Sequence, residues 1–295
     1  QTVYGGTFAF MQNYLPKFNI KTHFINTTNL DEIKSKINKK TKLIYCETMS
    51  NPLLEISDIR NISKIAKAHN LKLVVDNTFT PMIFSPAILG ADIVIHSLTK
   101  FINGASDTVG GIICSDEEFI SSLIDVNSGS AMLLGPVMDS MRAASILKNL
   151  RTLHVRMKKH SENAQYLSEK LFNDNIPVIY PGLKHHPQNS LMSQLMNKEF
   201  GYGGMLVIDM NSKEKANQLM EEMQENNLGY LAVSLGFYKT LFSAPSHSTS
   251  SEIPENDKIN IGLSDGLVRI SIGLDNDIKR TYKSMKKCID KVNSF

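Results

Sequence analysis

The sequence predicts an α/β fold built on a mostly parallel sheet, because its first half alternates buried-strand patterns with a helical one. Three apolar runs, at residues 43–46, 73–75 and 93–95, are continuous rather than alternating, which is typical of strands covered on both faces. Residues 58–70 carry apolar side chains at helical spacing, and Asp58 can cap the start of that helix. A strand, a helix and another continuous strand in succession indicate a parallel sheet covered by helices.

The second half begins with helices and then changes in pattern. Residues 138–171 contain few helix breakers and predict long helices. Strands are predicted at residues 205–208 and 231–233, with a helix over residues 213–226 between them. Residues 268–272 alternate strictly between apolar and polar side chains, so we predict a half-exposed strand there.

A domain boundary is predicted near residue 150, beside the long helices. The chain would then comprise a large domain over residues 1–150 and a smaller C-terminal α/β domain over residues 151–295. A length of 295 residues agrees with about two domains. Residues 275–292 carry apolar side chains on one helical face and predict a closing helix.

Composition and charge argue against several classes of function. The net charge is only +3, and the lysines and arginines are scattered, so we expect no nucleic-acid partner. No apolar run approaches the roughly 18 residues that a membrane helix requires, and the first seven residues lack the features of a signal peptide. The separated cysteines Cys46, Cys114 and Cys288 favour a reducing cytoplasm. Neither these cysteines nor His185-His186 have metal-ligand spacing, so no metal site is predicted.

Two groups of polar residues follow predicted parallel strands and form the candidate functional site. Asp76 ends one apolar run, and Ser97-Leu98-Thr99-Lys100 follows the next. Ligands of open α/β sheets bind outside the carboxyl ends of such strands. A lysine amine can bond to an aldehyde, a carboxylate can keep a pyridine nitrogen protonated, and the hydroxyls of Ser97 and Thr99 can bind a phosphate. Together these groups are what pyridoxal 5'-phosphate (PLP) requires, although each taken singly also fits a strand-terminal cap or a surface lysine.

Four separate motifs resemble the Cys/Met metabolism family of PLP enzymes, and the resemblance covers essentially the whole chain. The motifs are Asp76-Asn77-Thr78-Phe79, Gly90-Ala91-Asp92-Ile93-Val94, Ser97-Leu98-Thr99-Lys100 and Gly110-Gly111. The family includes methionine γ-lyase, cystathionine γ-lyase, cystathionine γ-synthase and the O-acylhomoserine sulfhydrylases. The resemblance implies an aspartate-aminotransferase-like α/β fold (fold type I) and an amino-acid substrate.

The resemblance also implies a role for each matching residue around the cofactor. Lys100 matches the lysine that binds PLP covalently, and Asp76 matches the partner of the pyridine nitrogen. Ser97 and Thr99 match the phosphate contacts. Tyr4, in the motif Tyr-Gly-Gly-Thr, resembles the tyrosine that stacks on the cofactor ring and exchanges a proton with the substrate.

Further matches concern the cofactor ring and the substrate. Asn51 is similar to the asparagine that donates a hydrogen bond to the ring hydroxyl. Arg269 matches the arginine that binds the substrate carboxylate, a task that suits the bidentate guanidinium. Ser234 and Thr249 stand where the family places further substrate and lysine contacts. Without the resemblance, Arg269 fits equally well as a solvated charge on an alternating strand.

The resemblance implies a γ-elimination, for which we predict L-methionine as substrate and methanethiol, 2-oxobutanoate and ammonia as products. Val233 stands where cystathionine-handling relatives carry glutamate, which favours a short, uncharged substrate side chain. Gly6 stands where well-known methionine γ-lyases carry cysteine, which weakens that prediction. O-acylhomoserine sulfhydrylase and cystathionine γ-synthase or γ-lyase remain open, and so does a non-catalytic remnant that acts as a binding module.

The family is built from dimers with shared active sites that pair into tetramers, so the resemblance implies a homotetramer. In the family, a region before the Tyr-Gly-Gly-Thr motif supplies a Gly-Met pair at the phosphate and a Tyr-x-Arg arm that reaches the neighbouring subunit. This sequence starts at that motif, so we expect a large domain that lacks its N-terminal segment.

Overall fold

The computed structural model describes residues 3–247 and 263–294, which form two sheets with helices packed against them. The first sheet has the strand order β1-β2-β3-β4. Its strands β1, β2 and β3 are parallel, and β4 is antiparallel to β3. The bounds are β1 Leu43–Glu47, β2 Lys72–Asp76, β3 Ile93–Ser97 and β4 Gly111–Cys114. The mostly parallel sheet predicted from the continuous apolar runs is therefore present.

The helices of the first half are short, and three of them begin at polar side-chain caps, which are Asn29, Asp58 and Asp116. The Asp58 side chain accepts the backbone N–H of Asn61 at 3.1 Å and caps the start of the helix that packs against β2. That helix buries Ile59 and Ile62 in the core beneath the sheet. The α-helices are α1 Gly5–Ala9, α2 Leu30–Lys36, α3 Ile59–Ala68, α4 Glu117–Ile124 and α5 Ser130–Leu134, with irregular helical turns at Phe10–Tyr14, Leu15–Phe18 and Leu98–Ile102.

The second half starts with two helices, α6 (Ser140–Leu150) and α7 (Leu153–Asn173), and continues into a five-stranded sheet. The strand order is β5-β6-β9-β8-β7, with β9 antiparallel to both of its neighbours. The bounds are β5 Val178–Ile179, β6 Met205–Asp209, β7 Tyr230–Leu231, β8 Leu241–Ser243 and β9 Leu267–Ser271. The remaining helices are α8 Asn189–Leu195, α9 Lys213–Glu225 and α10 Ile278–Asn293, with 3-10 turns at Lys198–Phe200 and Pro245–His247.

The buried apolar side chains form two clusters, one around each sheet. Met205 and Val207 of β6 belong to the first cluster, whereas Leu206 and Ile208 belong to the second. One face of β6 therefore packs against the first cluster and the other face against the second. The second sheet thus packs against the core of the first sheet. The domain boundary near residue 150 stays a prediction. No helix in the described part of the chain is long and apolar enough to span a bilayer.

Strand β9 corrects one prediction, because it is buried rather than half-exposed. All of its residues are buried, and Arg269 is only 2% exposed. The strand lies in the middle of its sheet, between β6 and β8, and both faces of the sheet are covered. The apolar and polar side chains of β9 alternate because one face of the strand packs against an apolar core and the other faces a buried polar site. The predicted strand at residues 231–233 is also shorter, since β7 ends at Leu231.

Candidate active site

The carboxyl ends of β1, β2 and β3 meet at one edge of the first sheet and place three polar side chains together. Glu47 ends β1, Asp76 ends β2 and Ser97 ends β3. Glu47 and Asp76 are directly paired in the parallel register. This edge is where ligands bind in open α/β sheets.

The Asp76 carboxylate is held by two donors. Its Oδ1 accepts the backbone N–H of Thr78 at 2.9 Å, and its Oδ2 accepts the Tyr45 hydroxyl at 3.3 Å. Burial, and then the negative charge of Asp76, raise the pKa of Tyr45 above its ordinary value. The Tyr45 hydroxyl therefore stays protonated and fixes the orientation of the carboxylate.

Lys100 lies in the irregular turn that follows β3, and its backbone departs there from helical geometry. Its Nζ donates a hydrogen bond to the Ser234 hydroxyl at 3.1 Å, across 134 residues of sequence. Burial lowers the pKa of the Lys100 amine, and the positive charge of Arg269 lowers it further. A reduced amine pKa favours the neutral, nucleophilic form of the side chain.

Arg269 projects from β9 into the same site and has only neutral partners among the described residues. Its Nη1 donates to Asn51 Oδ1 at 2.9 Å, and its Nη2 donates to the Ser234 carbonyl at 3.2 Å. Burial lowers the pKa of the guanidinium to about 10, so it remains charged at neutral pH. Ser234 thus contacts both basic side chains of the site, Lys100 through its hydroxyl and Arg269 through its carbonyl.

Tyr4 and Asn51 are joined to this group through Glu47. Glu47 Oε1 accepts the backbone N–H of Tyr4 at 2.8 Å, and the Asn51 backbone lies near the same carboxyl. The Tyr4 ring lies over Gly6, where an added Cβ would come within 2.7 Å of the tyrosine Cε1. A glycine at that position therefore lets the Tyr4 side chain lie close to its own backbone.

Among the described residues, the two predicted phosphate contacts, Ser97 and Thr99, make hydrogen bonds only with neighbouring parts of the chain. The Thr99 hydroxyl accepts the backbone N–H of Gly110 at 3.1 Å and lies 3.3 Å from the Gly110 carbonyl. The Ser97 backbone N–H donates to the Thr78 hydroxyl at 2.8 Å. Both residues lie at the correct sheet edge, and their roles at a phosphate stay predictions. Thr249 lies outside the described residues.

Three further polar residues lie at this edge and were not predicted from the sequence: Tyr45, Glu47 and His96. Burial, and then the charge of Asp76, raise the pKa of Glu47 to about 8. Its Oε2 and the Nδ1 of His96 are buried without a hydrogen-bond partner in the described part of the chain. One signal was available, because Glu47 ends a predicted strand just as Asp76 does.

These residues fit PLP. An amine with a lowered pKa, a fixed carboxylate and the Asn51 amide lie along one sheet edge, and two buried polar atoms there still lack partners. Lys100 would hold the aldehyde carbon, Asp76 the pyridine nitrogen and Asn51 the ring hydroxyl. Among residues 3–247 and 263–294, no group of three or more His, Cys, Asp and Glu side chains could hold a metal ion.

Comparison with known proteins gives a consistent set of similarities. The family model described as "Cys/Met metabolism PLP-dependent enzyme" matches residues 1–283. Methionine gamma-lyase from Arabidopsis thaliana is 41% identical over 289 residues, which are 97% of this chain and 66% of that protein. Cystathionine beta-lyase from Lactococcus lactis subsp. cremoris is 37% identical over 98% of this chain and 74% of its own length.

A solved structure extends these similarities to the fold. It is described as an O-acetylhomoserine (thiol)-lyase from Campylobacter jejuni and contains N'-pyridoxyl-lysine-5'-monophosphate. It is 28% identical, has a TM-score of 0.90 and matches 98% of this chain and 75% of that one. The α/β fold is therefore that of the fold type I PLP enzymes. The chain belongs to the Cys/Met metabolism family of PLP-dependent enzymes, the family of the trans-sulfuration carbon–sulfur lyases.

Proposed function

We propose that the protein is a PLP-dependent carbon–sulfur lyase that cleaves L-methionine to methanethiol, 2-oxobutanoate and ammonia. The observation that carries this proposal is the convergence of Lys100 and Arg269 on Ser234, at 3.1 Å and 3.2 Å. An α-amino acid carries an amine and a carboxylate on the same carbon. A reactive lysine beside a buried guanidinium matches that pair of groups.

Arg269 would bind the substrate carboxylate. Its described partners are an amide oxygen and a carbonyl oxygen, so its charge is buried without a counter-ion from the described residues. A buried charge is costly unless it is paired, and a carboxylate can accept two parallel hydrogen bonds from one guanidinium. The substrate would therefore supply the missing negative charge.

PLP, when bound, would withdraw electrons from the substrate Cα. The free Lys100 amine would move protons at the substrate Cα and Cβ. Burial and Arg269 lower its pKa, which keeps the amine able to accept the Cα proton. Ser234 holds Lys100 Nζ on the Arg269 side of the site.

The substrate preference rests on Val233, which precedes Ser234. An apolar side chain suits the uncharged thioether of methionine. Val233 is 60% exposed in the single chain, and it offers no counter-charge to the charged far end of cystathionine. The similarity to a methionine gamma-lyase of Arabidopsis thaliana supports the same preference.

A second candidate reaction is the replacement of the γ-substituent, as in O-acylhomoserine sulfhydrylases or cystathionine γ-synthase. Water and thiols compete for the same species after the γ-substituent leaves, so lyases and synthases share almost all of their residues. The similarity to an O-acetylhomoserine (thiol)-lyase favours this candidate, and the similarity to cystathionine gamma-lyases, such as that of Bacillus subtilis at 36% identity, favours cystathionine γ-cleavage. A binding module without activity would not need Lys100, Asp76 and Arg269 together.

A side-by-side assay tests the proposal. The protein is incubated with PLP and, in separate reactions, with methionine, cystathionine, or O-acylhomoserine plus sulfide. We expect 2-oxobutanoate to form fastest from methionine. Faster release from cystathionine, or sulfide-dependent consumption of O-acylhomoserine with little methionine cleavage, would overturn the assignment. Val233→Glu should shift the preference towards cystathionine.

We also propose that the protein acts in the cytoplasm as a homotetramer with shared active sites. Apolar side chains on and after α5 and at the start of α6 are highly exposed in the single chain, which fits a surface covered by another copy. These residues are Met132, Leu133, Leu134, Val137 and Met141. The cysteines Cys46, Cys114 and Cys288 are all free thiols, as in a reducing compartment.

A further inference from the structure

The turn that carries Lys100 is short, and two of its carbonyl groups point toward α7. The turn spans Leu98–Ile102, and the last carbonyl oxygens of such a turn have no partner within it. The carbonyls of Phe101 and Ile102 immediately follow Lys100 in the chain. Whatever binds them controls the backbone from which the lysine side chain extends.

Arg156, on the first turns of α7, binds both carbonyls. Its Nη1 donates to the Phe101 carbonyl at 2.5 Å, and its Nη2 donates to the Ile102 carbonyl at 2.8 Å. The same Nη2 donates to the Asn149 carbonyl at 3.1 Å, and Nε donates to the Thr152 hydroxyl at 3.1 Å. Every nitrogen of the guanidinium is therefore engaged, which requires the planar fork of arginine and not merely a positive charge.

Gly104 independently supports the contact between Arg156 and the lysine turn. Its φ is +70°, and a Cβ at this position would lie 2.4 Å from Arg156 Nη1. Only a glycine both adopts this conformation readily and leaves space for the guanidinium. The glycine after the lysine turn thus leaves the space that the Arg156 guanidinium occupies.

His160, one helical turn after Arg156, continues the contact toward β9. Its ring packs edge-on against Phe101, with centroids 5.2 Å apart, and its Nδ1 lies 2.6 Å from the Ile272 carbonyl. Burial lowers the pKa of His160 to about 4, so the neutral ring donates its Nδ1–H to that carbonyl. One face of α7 therefore holds the Lys100 turn and the end of the strand that carries Arg269.

We propose that Arg156 is a positioning residue for Lys100, which fixes the backbone of the lysine turn so that the amine stays beside Ser234. This inference rests on the proposed role of Lys100 in binding PLP. Arg156 acts through the carbonyls of Phe101 and Ile102 and does not touch the substrate. Its loss should therefore change how Lys100 reacts with PLP even when the chain is folded.

The test compares Arg156→Lys with the wild-type protein and with Arg280→Lys, a change at an exposed arginine of α10. PLP is added to the cofactor-free proteins, and the visible absorbance band of the lysine-bound cofactor is titrated against PLP concentration and against pH. Thermal unfolding of the cofactor-free proteins is measured in parallel. We expect Arg156→Lys to bind PLP about tenfold more weakly, with a shifted pH midpoint of the band. Arg280→Lys should match wild type.

Thr152→Val provides a milder second variant, because it removes the hydroxyl that accepts from Arg156 Nε and donates to the Asn149 carbonyl and leaves the guanidinium in place. We expect a weaker effect in the same direction, about twofold to threefold in PLP affinity. Should Arg156→Lys fail to fold, this variant decides. A folded Arg156→Lys protein, or in its absence a Thr152→Val protein, with the affinity and pH midpoint of wild type would overturn the proposal. A wild-type protein that forms no lysine-bound band would instead refute the proposed function.

Discussion

Arg269 is a buried, charged side chain whose environment suits an anionic ligand. Its two described hydrogen-bond partners are neutral oxygens, from Asn51 and Ser234, and burial lowers its pKa to about 10 without neutralising it. A carboxylate that enters beside it would gain a charge-assisted, bidentate pair in a region of low dielectric constant.

Replacing Arg269 should therefore weaken substrate binding far more than cofactor binding. For Arg269→Lys, which keeps the charge but loses the fork, we expect kcat/KM to fall roughly thirtyfold to hundredfold, or about 2–3 kcal/mol. Most of that loss should appear in KM. Steady-state kinetics give both constants, and the band of the lysine-bound cofactor serves as the control. An unchanged KM would contradict the assigned role.

Glu47 has the opposite property, since its buried carboxyl favours the neutral form. Its pKa is raised from 4.5 to about 8, so the folded chain keeps a proton that the unfolded chain loses above about pH 4.5. The free energy of unfolding should therefore fall as the pH rises from about 4.5 to about 8, and then stop falling from this cause.

Glu47→Gln should remove this pH dependence. The amide cannot ionise, and its oxygen can still accept the N–H of Tyr4. Near pH 8 we expect the variant to be more stable than wild type by about a few kcal/mol, with little difference below pH 4.5. Denaturant unfolding of the cofactor-free protein across this range measures the effect, with Glu221→Gln, an exposed carboxyl of α9, as control. A stability difference that does not grow with pH would contradict it.

The loop before β8 packs closely against the turn that carries Lys100. Gly236 has φ +75°, and a Cβ there would lie 2.3 Å from the Phe101 backbone nitrogen. The backbone N–H of Gly236 also donates to the Ser271 hydroxyl of β9 at 2.9 Å. The loop that carries Ser234 can approach Lys100 only because this position has no side chain.

Gly236→Ala and Gly135→Ala form a matched pair of variants. Both glycines have a positive φ, of +75° and +71°, but an added Cβ at Gly135 has nothing within 4 Å. We expect Gly135→Ala to cost about 1 kcal/mol of stability from backbone strain alone. Gly236→Ala should cost about 3 kcal/mol or more and also weaken PLP binding. Denaturant unfolding gives both values, and equal costs would refute the close packing.

Much of this layout could be predicted from local patterns, and the remainder depends on contacts between distant segments. The continuous apolar runs predicted β1 to β3, and their carboxyl ends placed Asp76 and Lys100 at one edge. The half-exposed strand predicted from the alternation in β9 is wrong, because polar residues that face a buried site give the same sequence pattern as polar residues that face water. Arg156 could not be found this way, since it contacts Phe101 across 55 residues of sequence.

The exposed apolar surface on α5 and α6 predicts that several copies of the protein assemble through it. Leu134, which is 81% exposed, should lie at a contact between copies. Leu134→Glu is expected to shift the protein from a tetramer to smaller species in light scattering, because a carboxylate at such a contact would be buried without a partner. Ile88→Glu is the control, since Ile88 is 86% exposed on the loop between β2 and β3. A tetramer that persists in Leu134→Glu would contradict this contact.

We propose that Lys100 binds the cofactor covalently at a sheet edge to which both halves of the chain contribute. The protein is mixed with PLP, the lysine–cofactor bond is reduced with borohydride, and the digested peptides are mapped by mass spectrometry. We expect the pyridoxyl phosphate mass on Lys100 in wild type, and no modified lysine in Lys100→Ala. Modification of another lysine in place of Lys100, or of none, would contradict the account.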